Sequence, residues 1–138
     1  MAALQQDRNT KEIYCNAPAI HRIRSMGKTQ VYAGSICAVN SEGAAVPAAD
    51  EAGLVVLGRC ETYLSNGKII AKSGVFIFDA ATDGSEKLSD TDINHIVYVL
   101  DDHTVGKTGG TNHIPAGVLR DIVSSTEVAV EIGNLAIG

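Results

Sequence analysis

The sequence predicts an all-β protein: a compact small β-barrel or β-sandwich of about seven or eight short strands, preceded by an extended N-terminal arm. Three observations carry this. From Ser73 onward the chain is a succession of short apolar runs broken by acidic, Gly-rich turns, as in Gly74-Val-Phe-Ile-Phe-Asp79 and Val128-Ala-Val-Glu-Ile132. No stretch sustains a period of 3.6 long enough for a helix of several turns. Hydrophobic residues make up 45% of the 138-residue chain but aromatics only 4%, with no Trp, so small aliphatic side chains must fill the core. That length fits one domain with a single core.

Residues 1–30 scatter Ile13, Tyr14, Ile20, Ile23 and Met26 among Asn, Gln, Arg, Lys and Pro18. Such a segment buries little by itself, so it is expected to run extended along another surface, that of a neighbouring subunit, and to be dispensable for folding of the body, residues 31–138. From Gln30 the pattern alternates. Val31, Ala33, Ser35, Cys37 and Val39 share one face and Tyr32, Gly34, Ile36 and Ala38 the other, both largely apolar, as in a strand covered on both sides. Residues 40–53 read as a loop. A strand over Leu54 to Tyr63 then meets Ser65-Asn66-Gly67-Lys68, where Asn-Gly between apolar runs marks a hairpin because both residues tolerate positive φ. Residues 69–71 and 74–79 follow as strands. In the polar break at 80–94, Ser89-Asp-Thr-Asp92 is placed to cap one helical turn. Strands over 96–100, 114–122 and 128–132 complete the body, the last with one wet face.

The formal charge of -5 is unevenly spread. Residues 1–30 hold five basic and two acidic residues, a net of +3, and the remainder holds six basic and fourteen acidic, a net of -8. A body so acidic repels phosphates, and stacking aromatics are few, so no direct nucleic-acid contact is expected and the basic arm suits an acidic protein surface better. No apolar stretch is long enough to span a bilayer, so no membrane partner is expected and synthesis is assigned to the cytosol. The three cysteines, Cys15, Cys37 and Cys60, show no Cys-x-x-Cys spacing. Cys37 and Cys60 lie in apolar runs and read as small buried hydrophobes, whereas Cys15 has a more polar context.

Few short motifs in the chain carry chemistry. Gly27-Lys28-Thr29 and Gly106-Lys107-Thr108 lack the Gly five positions earlier that a phosphate loop requires, since Arg22 and Asp101 stand there, so both read as turns. Asp101, Asp102 and His103, with His113 ten residues on, offer oxygen and nitrogen ligands. Their setting nevertheless reads as a solvated connecting loop, and no metal, cofactor or catalytic residue is assigned. No Gly-x-Ser-x-Gly elbow accompanies the scattered Ser and His residues, and an enzyme is not expected.

The order Ala71-Lys-Ser-Gly-Val-Phe-Ile-Phe-Asp-Ala80, Leu88-Ser-Asp-Thr-Asp-Ile93, Val97-Tyr-Val-Leu-Asp-Asp-His-Thr-Val105, Gly110-Thr-Asn112, Pro115-Ala-Gly-Val-Leu119 and Val128-Ala-Val-Glu-Ile132 resembles tailed-bacteriophage capsid decoration, or cement, proteins. The similarity covers residues 54–132 and rests on the order of strands and turns; residues 1–53 depart from the pattern. The resemblance implies a non-enzymatic virion protein on the outer capsid surface. It would be a homotrimer binding the assembled major capsid protein and would need no cofactor. With the arm taken as the contacting part, Tyr14, Ile20, Arg22, Ile23 and Arg24 are the candidate capsid-contact residues. A head-fibre or tail component, or a small metal- or ligand-binding β-barrel protein, are the alternatives.

Overall fold

Apolar runs separated by turns assemble two sheets that share one layer of packing. The computed structural model describes residues 3–13, 19–82 and 84–134. Eleven strands occur among them: β1 (Glu12–Ile13), β2 (His21–Ser25), β3 (Ile36–Val39), β4 (Ala45–Pro47), β5 (Val55–Tyr63), β6 (Lys68–Lys72), β7 (Gly74–Ala80), β8 (Ile96–Val99), β9 (Thr104–Gly106), β10 (Pro115–Ile122) and β11 (Glu127–Ile132). The protein is all-β, with helical structure limited to three-residue turns.

The first sheet is a closed barrel in the order β7-β11-β10-β8-β9. It closes through a parallel pairing of β7 with β9, Asp79 opposite Thr104 and Ala80 opposite Val105. Strand β1 adds to the remaining half of the same β7 edge, with Glu12 opposite Phe76. Curvature comes from register shifts in β10 at Pro115/Gly117 and Leu119/Asp121. Gly117 permits a close approach of β10 to β11, because a Cβ there would lie 2.0 Å from the Glu131 carbonyl oxygen. Inside, Phe76 and Phe78 meet edge to face at 6.3 Å and are surrounded by Val97, Val99, Val105, Leu119, Val128, Val130 and Ile132. The scarcity of aromatics is thus met by a core built mainly of aliphatic side chains, valine the most frequent among them.

The second sheet runs β2-β6-β5-β3-β4, antiparallel throughout, and a parallel bridge between Met26 and Ala45 joins its two edges at one end. It wraps its own cluster of Val31, Cys37, Ala45, Leu57, Cys60, Ile69 and Ala71. Strand β3 serves both interiors, since Ile36 and Ala38 pack into the barrel cluster while Cys37 points into the second. This is the doubly covered strand expected from its two apolar faces, although it is shorter than the 31–39 run.

The hairpin expected at Asn66-Gly67 joins β5 to β6 with φ of 69° and 76° at these residues. Ser89 and Asp92 form a reciprocal capping box on a single turn over Asp90–Asp92. Three expectations need correction. Strands β4 and β9 lie in segments read as loops or turns, because three residues are too few to display a period. The strand count therefore exceeds seven or eight. The N-terminal segment is extended as expected, but the surface it follows belongs to its own chain: β1 pairs with β7 and β2 with β6.

Several side chains hold that strap in place. Arg8 pairs with Asp79 at 2.9 Å, and Lys72 with Glu12 at 2.6 Å. The Thr10 hydroxyl donates to the Gly34 carbonyl at 2.6 Å. Arg59 of β5 donates to the Thr10 carbonyl at 2.7 Å, stacks on Phe76 at 4.2 Å from the ring centroid and pairs with Glu61, so it ties the strap to both sheets.

Candidate interaction surface and acidic centre

Strand β2 is an edge strand, hydrogen-bonded through β6 along one side. Of the five contact candidates, it exposes Ile23 (50%) and Arg24, and Ile20 just before it is 42% exposed. Among the described residues, Arg24 donates to the carbonyl of its neighbour Ile23, at 2.8 Å. Arg22 is turned the other way. It is half-buried and donates to the carbonyls of Leu57 at 2.9 Å and Gly133 at 2.8 Å, so its guanidinium holds β5 and the end of β11 together and is withdrawn from the surface. Tyr14 lies outside the described residues. Sequence reasoning missed Ile13, 38% exposed on β1 opposite Val75, two positions beyond Ser73, whose backbone and side chain bond to Ile20. Its signal was weak because a two-residue strand has no readable face.

Neither Gly-Lys-Thr tripeptide opens a helix: Lys28-Thr29 and Lys107-Thr108 are bends, and Gly106 is the last residue of β9. The second does wrap an anion with backbone amides, but the anion is internal. The Glu86 carboxylate accepts the amides of Thr108 (2.8 Å), Gly109 (3.0 Å) and Gly110 (2.9 Å) and the Thr108 hydroxyl (2.6 Å). Desolvation raises the pKa of Glu86, but these four donors outweigh it and hold the group at about 2. Asp50 accepts the next two amides, Thr111 at 2.9 Å and Asn112 at 2.8 Å. Those bonds, opposed by desolvation and helped by the Asn112 side chain and nearby His113, depress its pKa. Five consecutive amides, 108 to 112, are therefore satisfied by two carboxylates from elsewhere in the chain.

The tip of the β8–β9 connection, Asp101-Asp102-His103, departs from its sequence reading. It is not a solvated loop: Asp101 is 6% and Asp102 0% exposed. The reason is tertiary. The Asp102 carbonyl accepts the Ile36 amide of β3 at 2.7 Å, and the His103 carbonyl accepts the Asp79 amide at 2.9 Å, so the tip is wedged between the sheets. The strap crosses it, with the Leu4 amide donating to Asp102 Oδ1 at 3.0 Å. His103 Nδ1 faces Asp101 Oδ1 at 3.0 Å and Asp102 Oδ1 at 3.2 Å, while its Nε2 faces Asp79 Oδ2 at 3.9 Å. Among the described residues, the buried Oδ2 atoms of both aspartates have no hydrogen-bond partner. His113 does not join them. It lies on the pinned loop, edge to face with Tyr98.

Comparison with models of known protein families, with curated proteins and with solved structures finds no match for this chain.

Proposed function

We propose that this protein is a capsid decoration (cement) protein of a tailed bacteriophage. In this reading it binds the assembled major capsid lattice as a homotrimer on the outer surface and stabilises the head. The observation that carries the proposal is that the segments resembling cement proteins between residues 74 and 132 form consecutive strands and turns of one closed barrel filled by aliphatic side chains. Such a body is rigid and offers its exterior as the working surface. The exposed Ile13, Ile20, Ile23 and Arg24 leave apolar and basic side chains free to meet an acidic protein surface. Each copy bridging two capsid subunits would oppose their separation, and many copies would act together.

Cryo-electron microscopy of particles that carry the protein tests the reading directly: density for it on the outer capsid at three-fold positions is expected. Density confined to the tail or a head fibre would overturn it. Ile23→Asp is expected to weaken attachment at least about tenfold by placing a charge in the buried contact. Its unfolding midpoint should be nearly unchanged because the side chain is exposed in the free protein.

A further inference from the structure

We propose that Asp101, Asp102 and His103 form a binding site for one divalent first-row transition cation, of the class of Zn2+ or Mn2+, which locks the N-terminal strap onto the barrel. The donor atoms converge without help from a ligand. One ligand atom of each residue lies within 4.8 Å of the others. His103 Nδ1 stands 3.0 and 3.2 Å from the two Oδ1 atoms. Two ligands bound cis at about 2.1 Å from one metal are about 3 Å apart, so these separations fit the edges of a coordination polyhedron.

The second observation is independent of that geometry. The Asp102 side chain is 1% and the Asp101 side chain 9% exposed, yet each keeps a buried Oδ2 without any partner. Asp101 Oδ1 accepts the His103 amide and Asp102 Oδ1 the Leu4 amide, each at 3.0 Å; among the described residues no donor reaches either Oδ2, and a single proton on Nδ1 leaves the excess negative charge uncompensated. The Arg8 guanidinium is engaged by Asp79. A divalent ion supplies the missing charge and accepts lone pairs from both carboxylates at once. Asp79 Oδ2 lies 3.9 Å from Nε2, on the far side of the ring, where a proton on Nε2 would point once the ion takes the Nδ1 lone pair. Mixed imidazole and carboxylate donors select a borderline cation over Ca2+ or Mg2+, which prefer oxygen alone. Entry is through the shallow groove of about 380 Å³ that Asp101 lines beside Ala3, Thr29, Ala48 and Glu51. Because Asp102 Oδ1 also accepts the Leu4 amide, filling the site fixes the strap.

The test uses the full chain stripped with a chelator and titrated separately with Zn2+, Mn2+ and Ca2+, with bound metal counted by mass spectrometry and the unfolding midpoint recorded. One Zn2+ or Mn2+ per chain, a raised midpoint and slower hydrogen exchange at the Leu4 amide are expected. Asp102→Asn keeps the oxygen that accepts Leu4 but removes the charge. It and His103→Gln should each weaken binding at least about tenfold, whereas His113→Gln should leave it unchanged. His103→Gln, at a partly exposed position, keeps the test decisive should Asp102→Asn fold poorly. No stoichiometric ion, Ca2+ bound as tightly as Zn2+, or undiminished binding by His103→Gln would overturn the site.

Discussion

Gly34 has φ of +89°, and a Cβ built there would stand 1.9 Å from the Arg8 carbonyl oxygen. Both facts forbid a side chain: the backbone is in the region that L residues avoid, and the strap passes directly overhead. Gly34→Ala is expected to lose about 1–3 kcal/mol from backbone strain and about 1–3 kcal/mol more from displacing the strap. Gly43→Ala shares the positive φ but has open space around it, so it should lose only the first part. Urea denaturation of the pair separates the two contributions; equal losses would show that the strap does not rest on Gly34. At the same scale, Cys37 and Cys60 behave as their apolar contexts indicated. Both are buried free thiols, and desolvation, aided by nearby negative groups, pushes each pKa up to about 12, so neither is poised as a nucleophile. Arg22 carries the opposite lesson. Nothing in its sequence neighbourhood distinguished it from Arg24, and only the positions of the Leu57 and Gly133 carbonyls make it an internal tie.

The element with the clearest electrostatic design is the loop from Gly106 to Asn112. Its Gly-Lys-Thr-Gly-Gly sequence frees successive amides to point one way, and Glu86 fills the resulting concavity. Because the folded pKa of Glu86, about 2, lies below its ordinary value of 4.5, the contribution of this contact is complete above pH 4.5. It is lost as pH falls from 4.5 through 2. Amide exchange at Thr108, Gly109 and Gly110, followed by NMR across that range, should accelerate with a midpoint near 2; acceleration already centred at 4.5 would contradict the pinned carboxylate. Glu86→Gln should exchange rapidly throughout. The turn residues of this loop were legible in the sequence, but its anion was not, since Glu86 is twenty-two positions away from Thr108.

Across the whole molecule, the strap decides how the two sheets are joined. Arg59, Thr10, Arg8 and the β1 and β2 pairings all cross from one part to another. Removing residues 1–24 would therefore strip several hydrogen bonds, each contributing about 1 kcal/mol, and uncover the β6 and β7 edges of a domain whose total stability is typically about 5–15 kcal/mol. The truncated chain is expected to show a markedly lower thermal midpoint and to aggregate through its bared edges. An unchanged midpoint would restore the view that the arm is separable from the body. Surface function is accordingly better probed by Ile23→Asp than by deletion.

The sequence by itself determined the class of fold and the longer strands, β5 to β8, β10 and β11, because alternation, Asn-Gly turn chemistry and a capping box are local and act within a few residues. It also marked β3 as covered on both sides, since both of its faces are apolar. Only the tertiary structure decided where the strap lies, that the barrel closes through a parallel β7–β9 pairing, and that Asp101 and Asp102 are buried under Leu4 and Ile36. Those outcomes depend on contacts between residues as many as 111 positions apart. A short polar segment carries no period announcing which distant edge will satisfy its backbone, and an acidic turn reads the same whether water or another strand comes to cover it.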